Sequence, residues 1–421
     1  MRRRRGSVSG FVAICLTLLV AIVAIALDGG ILLSERCHAQ AVADAAALSA
    51  ASDLYLGNSA TTAQQSALTT AAANGYTNDG VSSVITPNLT DGDGNPVHGI
   101  WSPPISGDHV GDPLYVEVVV QWNQARGFSS IFGSGAIPVR ARSVALGSSK
   151  PYSTSAILNL DPTGSGALSA SGNPTISANA PITVDSDSSQ ALTVGGSSDL
   201  TAPVINVTGN YSLSGGGDLT GTVHTGVTAT PDPLAALVAP DPTTLTSQRG
   251  SALNLNDGMS HTLSPGVYVG GISIGSTTSV TLLPGIYYIQ GGGFNLSGSS
   301  NLTGSGVMIY NAPASSSDQI SLSGKGNVTL SPPTSGRYSG ITIFQDRNSN
   351  VAASITGDSG FNVTGTFYIA GATLKVTGNS SVALLGSQLI SRDLTIGGNA
   401  SLTIIWDTKK VARKRFVQLV E

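Results

Sequence analysis

The sequence predicts a mostly β protein: a parallel β-solenoid (β-helix-like) outer domain, preceded by an N-terminal transmembrane helix and a small α+β domain. Three observations carry this. An uncharged run from Val8 to Leu27 follows an arginine cluster, Arg2 to Arg5. From residue 150 to 405, Ser, Thr, Gly and Asn punctuate short runs of alternating Val, Ile and Leu. Within that half, similar segments recur at near-constant spacing, the signature of a stacked repeat. The organisation that follows is 1–56 for the basic start, the transmembrane helix and its extension, 57–149 for the α+β domain, 150–405 for the solenoid and 406–421 for a basic tail.

Composition narrows the function classes. Only 10% of the 421 residues are charged and 5% are aromatic, while Gly accounts for 52, which argues against a helical enzyme. Lys and Arg number 20 against 24 acids, a formal charge of -4, so there is no global basic field for nucleic acid. The two cysteines, Cys15 and Cys37, cannot build a disulfide framework or a zinc site. On one helix they would stand about 33 Å apart, too far to pair.

The run Val8 to Leu27 ends at Asp28, and at 1.5 Å per residue it spans about 30 Å, the thickness of a bilayer core. A cleaved signal peptide is the competing reading. Its apolar core is usually shorter, about 7 to 15 residues, and no small-x-small cleavage site interrupts the run before Asp28. An uncleaved anchor is therefore expected, with the arginines cytoplasmic and everything after Asp28 outside, periplasmic or extracellular. Beyond Asp28 nothing breaks the helix before Leu56 except Gly29 and Gly30. Small residues at Ala41, Ala45 and Ser49 recur every four positions, a stripe that lets a second helix approach closely, and Ala41, Asp44, Ala45 and Leu48 are the candidate partner-packing positions.

Gly6, the apolar span, Ala26-Leu27-Asp28 at its end and then Ala43-Asp44-Ala45-Ala46-Ala47-Leu48 together resemble the N-terminal module of TadG-like Tad (Flp) pilus-assembly proteins. The resemblance covers roughly residues 6 to 55. The chain departs from the family pattern at Gly30, where a basic residue is common, and at His38, where an apolar one is. A type IV prepilin competes, because Gly10-Phe11 imitates a processing site; position five of such a helix would be Cys15, where pilins resemble one another in a glutamate.

In the next segment Asn58-Ser59 signals a helix cap, Ala60 to Ala73 a second helix, and Asn74-Gly75 its stop. Asp91, Asp93 and Asn95 faintly suggest a calcium loop, but the twelfth position is Ser102 and not glutamate, so a hairpin turn is expected. Leu114 to Trp122 and Ile137 to Leu146 read as strands, joined through Gly127-Phe-Ser-Ser-Ile-Phe-Gly133. A strand leading through Phe and Phe-Gly to a second strand also resembles the TadE/TadG pattern.

In the repeated half, Leu263-Ser-Pro-Gly-Val-Tyr268 recurs as Leu282-Leu-Pro-Gly-Ile-Tyr287, Gly271-Ile-Ser-Ile274 as Gly293-Phe-Asn-Leu296, and Val376 to Val382 as Ile396 to Leu402. A coil of about 20 residues is implied. A β-sandwich is the alternative with similar composition. Pro231 to Asp241 breaks the pattern, either as a loop crossing the solenoid or as a short helix between prolines. This break and the Leu-x-Pro-Gly copies resemble extracellular regions joined to TadG-like anchors.

No catalytic, cofactor-binding or metal-ligating constellation stands out. Between 151 and 400 the 12 acids and 6 bases are scattered. The densest groups, Gln345-Asp346-Arg347 and Arg392-Asp393, read as stacked surface ion pairs and not as an acid/base pair. The five histidines, His38, His98, His109, His224 and His261, lack ligand spacing and read as solvated loop residues. The tail bases Lys409, Lys410, Arg413, Lys414 and Arg415 suit an anionic surface, and the alternation after them suggests a strand packed on the solenoid end or returned to the first domain.

The expectation is a non-enzymatic, single-pass cell-envelope protein that assists Tad/Flp-type pilus assembly or anchoring. Its partners would be the lipid bilayer, pilus-assembly proteins or pilin, and surface polysaccharide, with no nucleic acid and no cofactor. A membrane-anchored adhesin or carbohydrate-binding solenoid is the alternative, and a polysaccharide-processing enzyme on a β-helix is a third reading.

Overall fold

The computed structural model describes residues 8–357, 360–378, 381–382 and 384–421, so Arg2 to Arg5 lie outside the described residues. The chain divides into two compact units, 1–150 with 415–421, and 151–414. The segments 1–56 and 57–149, separate in the sequence reading, fall in one unit, and the tail 406–421 is divided at Arg415.

In the first unit, α1 runs unbroken over Val8–Tyr55 and α2 over Ala60–Ala73. The cap read from sequence is in place: Ser59 Oγ accepts from the Thr62 N–H at 3.2 Å, satisfying one of the first-turn donors. Gly75, at φ +92°, takes the left-handed position just past the helix end. A sheet covers the pair: β1 (Ser83–Val84), β2 (Leu89–Thr90), β3 (Pro96–Trp101), β4 (Tyr115–Gln124) and β5 (Ile137–Pro151). Its order is β2-β3-β4-β5, with β1 also on β4, and the C-terminal strand Arg413–Leu419 closes the edge beside β5. The final alternation thus returns to the first domain. Asp91 turns β2 into β3 by accepting from the N–H groups of Asp93 and Asn95 at 3.0 and 2.8 Å, the hairpin expected there.

The core of this unit is built from small residues. Ala43, Ala46, Ala47 and Ala50 of α1 and Ala63, Ala67 and Ala71 of α2 are fully buried against Val116, Val118 and Val120 of β4. Alanine lets the backbones come close, and at Gly147 even a Cβ would meet the Ala51 carbonyl at 1.9 Å.

The second unit is a parallel β-solenoid with three strand columns. Along one column Leu253 pairs with Ile272, Ile272 with Phe294, Phe294 with Ile320 and Leu322 with Ile355, so the coil length varies from 19 to 33 residues while the inward position is kept. Ile274 lies over Leu296, both buried, as the repeat spacing requires. The pairing of Val376 with Ile396 and Val382 with Leu402 also keeps the sequence offset. At the Pro-Gly repeat the correspondence slips. Leu263 pairs with Leu282 at the expected offset of 19, but Tyr268 pairs with Ile289 and not with Tyr287. The tyrosines nonetheless repeat one bond, each hydroxyl donating to the carbonyl four residues earlier, Ser264 at 2.6 Å and Leu283 at 2.9 Å.

The stacking order does not follow the chain order. Leu168, in the first coil, pairs with Leu192 on one side and with Leu394, in the last coil, on the other. The chain therefore enters at the middle of the stack and winds outward to Thr225. It then crosses to the far end through residues 226–246 and winds back from Ser247 to Ile404, where it meets its own first coil. One corner is a column of glycines that runs across this meeting: a Cβ on Gly172 would lie 2.7 Å from the Gly398 carbonyl oxygen, and one on Gly196 2.1 Å from that of Gly172. Both have positive φ, so the corner needs glycine for its conformation and its close approach alike.

The crossing segment is a strap, the first of the two readings of Pro231 to Asp241. Its Leu234 and Leu237 are buried with Met308, Tyr310, Ile341, Phe344 and Tyr368. Strands beneath it are buried on both sides: Ile309, Ile343, Phe367 and Leu389 point into the solenoid, while the alternate Tyr310, Phe344, Tyr368 and Ile390 meet the strap. Tyr310, Phe344 and Tyr368 form an edge-to-face column with ring centroids 5.1 and 5.0 Å apart. Polar bonds pin the strap in sequence order. Thr230 N–H donates to Asp185 at 2.9 Å, Tyr368 Oη to Asp232 at 2.6 Å, Arg347 Nη2 to the Leu234 and Leu237 carbonyls at 2.7 and 2.9 Å, and Tyr338 Oη to Val238 at 2.9 Å. Burial, then the bond to Asp232, pushes the Tyr368 hydroxyl well above its ordinary pKa, so it remains a donor.

This corrects the reading of Arg347 as one of a stacked pair of surface charges. Its guanidinium donates to carbonyls and lies over the Phe344 and Tyr368 rings at 5.8 and 5.5 Å. Arg392 does form an ion pair, but across the meeting of first and last coils, 2.8 Å from Asp161.

Two outcomes follow for thermal melts of the full chain. Ile274→Asp or Leu296→Asp, which put an unpaired polar group in the apolar column, should each cost several kcal/mol, on the order of 2 to 7. Ser273→Asp, on the outward side, should be close to neutral, and equal tolerance of all three would contradict this register. Arg347→Ala leaves two strap carbonyls without a donor and should cost about 1 to 3 kcal/mol per stranded group. Limited proteolysis should then begin within 226–246 in that variant, whereas Arg347→Lys should be intermediate.

Candidate functional site

The feature of the first unit that is least explained by packing alone is the point where the apolar run of α1 ends. Residues Phe11 to Leu27 have their large side chains about half to three-quarters exposed, and α1 is the one described helix long and apolar enough to cross a membrane. Asp28, at the end of this run, is buried, although Ile31 and Leu33 beyond it are again exposed. The Asp28 carboxylate accepts the Phe128 N–H at 3.1 Å and the Ser129 N–H at 2.6 Å, both from the 3₁₀ turn Phe128–Phe132 between β4 and β5. Gly127 makes this possible, since a Cβ there would lie 2.6 Å from Asp28 Oδ1. The Gly127 to Gly133 segment, read as a strand-connecting turn, is thus also a clasp on the helix.

A second charged contact closes the opposite side of the unit. Glu117, fully buried on β4, accepts from the Ile105 and Ser106 N–H groups at 2.9 and 3.0 Å and from Arg142 Nε at 2.6 Å. Arg142 also holds the carboxylate of Glu421, whose backbone carbonyl accepts the Val144 N–H at 2.9 Å while the Val420 N–H donates to the Val144 carbonyl at 2.9 Å. Hydrogen bonds to both charges satisfy an ion pair that would otherwise be costly to bury.

The residues singled out from sequence take varied positions. Val8 begins α1 and Leu27 is half exposed immediately before Asp28. Ala41 is exposed, and Asp44, Ala45 and Leu48 are half-buried; Asp44 accepts from Gln40 Nε2 at 2.8 Å and Leu48 rests against the alanine core. The internal packing surface is the neighbouring face, Ala39, Ala43, Ala46, Ala47 and Ala50, while Ser49 reaches the Ser66 carbonyl on α2 at 3.5 Å. The structure therefore brings α1 together with α2 and the sheet through residues one or two positions away from the stripe.

Among the described residues there is no group of three His, Cys, Asp or Glu side chains arranged to hold a metal ion. The histidines are not uniformly solvated loop residues. His98 is buried with Nδ1 3.2 Å from the Ile85 carbonyl, and His261 pairs with Asp257 at 2.8 Å. On the solenoid, Asp161 and Asp393 flank Arg392, at 2.8 and 3.9 Å. Burial and the neighbouring Asp161 charge raise the pKa of Asp393, whereas for Asp161 the N–H groups of Thr163 and Gly164 and the arginine outweigh burial and lower it. The three groups satisfy one another and stitch the first coil to the last.

A bilayer-length apolar helix that continues without a break into the core of an α+β unit defines a module built on one long helix. Residues 6–53 match the family described as putative Flp pilus-assembly TadE/G-like, so this module is of the TadE/G-like type and ties the chain to a pilus-related role; the match does not extend into the solenoid. No curated protein matches the chain. Among solved structures the chain is similar to the competence-associated pilin ComZ from Thermus thermophilus, at 13% identity over 80% of this chain and 86% of that one, with a TM-score of 0.26.

Removing the clasp should loosen the turn and not the fold. In Asp28→Ala, hydrogen exchange at the Phe128 and Ser129 amides should accelerate on the order of tenfold, because two charge-assisted bonds are lost. Asp28→Asn should fall between that variant and the parent, and Gly127→Ala should resemble Asp28→Ala. Unchanged exchange in all three would remove the clasp from the account.

Proposed function

We propose that this protein is a non-enzymatic, single-pass component of a bacterial cell envelope that assists assembly or anchoring of a Tad/Flp-type pilus. In this reading α1 crosses the membrane with its N-terminus cytoplasmic, and the rest of the chain lies outside. The observation that carries it is the exposed apolar run ending at a buried, clasped Asp28 within a TadE/G-like segment. An exposed apolar surface of that length is stable only in hydrocarbon, and the arginines before it favour the cytoplasmic side. The pilus-assembly machinery or pilin is the proposed partner, with surface polysaccharide as a further ligand of the solenoid.

The non-enzymatic part rests on what the polar groups already do. Asp161, Asp185, Asp232 and Arg347 are engaged in holding the strap and the coil junction, which leaves them poorly placed for acid/base work on a substrate.

Deletion of the gene in its native bacterium should abolish or sharply reduce surface pili in electron micrographs, with recovery on complementation by the full chain. Normal piliation in the deletion strain would overturn the pilus reading. Mass spectrometry of the membrane-extracted protein should find the apolar run intact, and a mature N-terminus downstream of Asp28 would overturn the anchor.

A further inference from the structure

The turn clasped by Asp28 carries apolar side chains that the fold leaves uncovered. Ile131 is 81% exposed and Phe128 50% exposed, although each stands in a loop whose backbone is tied down. On the adjoining helix Ile31 and Leu33, within the first turn and a half after Asp28, are 49% and 64% exposed. A small cleft lined by Asp28, Ile31, Leu32, Arg126 and Gly127 joins the two segments. The apolar surface of the span therefore continues past Asp28 as a collar shared by helix and turn.

We propose that the turn Phe128–Phe132 is a second membrane contact, inserting Phe128 and Ile131 into the headgroup and upper acyl region of the leaflet where α1 emerges. This rests on the reading of α1 as a membrane span. Three observations select lipid as the occupant. Asp28 marks the end of a run of bilayer length, and its carboxylate holds the turn's own N–H groups at 3.1 and 2.6 Å, which places the turn at the membrane boundary. The exposed surface is continuous with the span's own apolar surface. The stretch from Gln124 to Arg140 contains Arg126 and Arg140 and no acid, a charge pattern that favours anionic headgroups. Aromatic and aliphatic side chains on a polar-backed turn suit the interface, where one side is wet and the other is hydrocarbon.

The contact would do mechanical work. One helix alone can tilt and rotate in a bilayer, since its length sets neither angle. A second foothold one side chain away from the helix axis resists rotation, and the Asp28 bonds transmit that resistance to the α+β unit.

The test uses the full chain in liposomes of phosphatidylcholine and phosphatidylglycerol, with bromines on the acyl chains either near the headgroup or near the bilayer centre. An environment-sensitive thiol fluorophore is placed at one site at a time. Native Cys15, in a Cys37→Ser background, reports the span. Ile131→Cys and Val110→Cys, each with Cys15→Ser and Cys37→Ser, report the turn and a control. Val110 is 58% exposed but precedes β4, at the strand end opposite the turn. The proposal expects Cys15 to be quenched by deep bromines, Ile131→Cys to be quenched severalfold more by shallow than by deep bromines, and Val110→Cys to be unaffected. If Cys15 is quenched while Ile131→Cys behaves like Val110→Cys, the second contact is refuted and the span stands. If that unquenched probe is also shielded from an aqueous thiol reagent, a protein covers the turn instead, which equally overturns the proposal. An unquenched Cys15 would overturn the span and the contact together.

Discussion

The structure of the second unit depends on one seam, the parallel ladder in which Leu394, Thr395 and Ile396 of the last coil pair with Leu168, Ser169 and Ala170 of the first. A solenoid built in chain order has its two ends at opposite ends of the stack. Here the ends meet in the middle, and Tyr152 N–H donates to the Ala412 carbonyl at 3.0 Å. The whole solenoid can therefore stand as an insertion between β5 and the C-terminal strand, two neighbours in the sheet of the first unit. Chain topology, not sequence repetition, is what allows both units to close. The Arg392 pair with Asp161 and the glycine corner at Gly172 and Gly398 lie on the same seam, so charge, register and close backbone approach all support a junction that has no covalent continuity.

Entry at the middle creates a second requirement. After the outward coils end at Thr225 the chain must reach the far end of the stack, and it does so along one column of strands. A bare crossing loop would have many backbone groups to satisfy and little to bury. The strap answers with two leucines set into an aromatic column and with side-chain donors from beneath it, Tyr368 at Asp232, Arg347 at both Leu234 and Leu237 and Tyr338 at Val238. The charged groups Asp185, Asp232 and Arg347 are thus engaged where the strap interrupts the repeat.

Much of this was legible in the residues. The long helix, the Ser59 cap, the strands on either side of Gly127 and the inward stacking of Ile274 on Leu296 follow from hydropathy period, capping chemistry and repeat spacing. The order of coils was not legible, for a physical reason. Equivalent repeats present equivalent surfaces, so Leu168 is as good a neighbour for Leu394 as for Leu192, and periodicity cannot choose between them. Two signals did bear on the strap. The runs Val307-Met-Ile-Tyr310 and Phe367-Tyr-Ile369 lack the polar alternation of a strand with one wet side, and both are covered on two sides. Arg347 sits in a segment that looks like surface charge because local sequence does not reveal that residues 234 and 237 will lie over it. The Asp28 clasp was hidden in the same way, its partners being a hundred positions away.

The first unit shows why that clasp stands where it does. By propensity α1 is weakest at Gly29 and Gly30, where each glycine costs about 1 kcal/mol relative to alanine and where nothing lies within 4 Å of either Cβ position. A helix left to itself would bend or fray there, uncoupling the apolar run from the alanine-rich segment that packs on α2 and β4. The Asp28 bonds to the Phe128 and Ser129 amides fasten the helix at the residue before this pair, and Leu32 packs into the core just after it. The weak point is thus bracketed by a polar tie on one side and an apolar contact on the other. A helix that is apolar and exposed over one half and core-facing over the other has a changeover between the two, and the bracket spans it within about one turn.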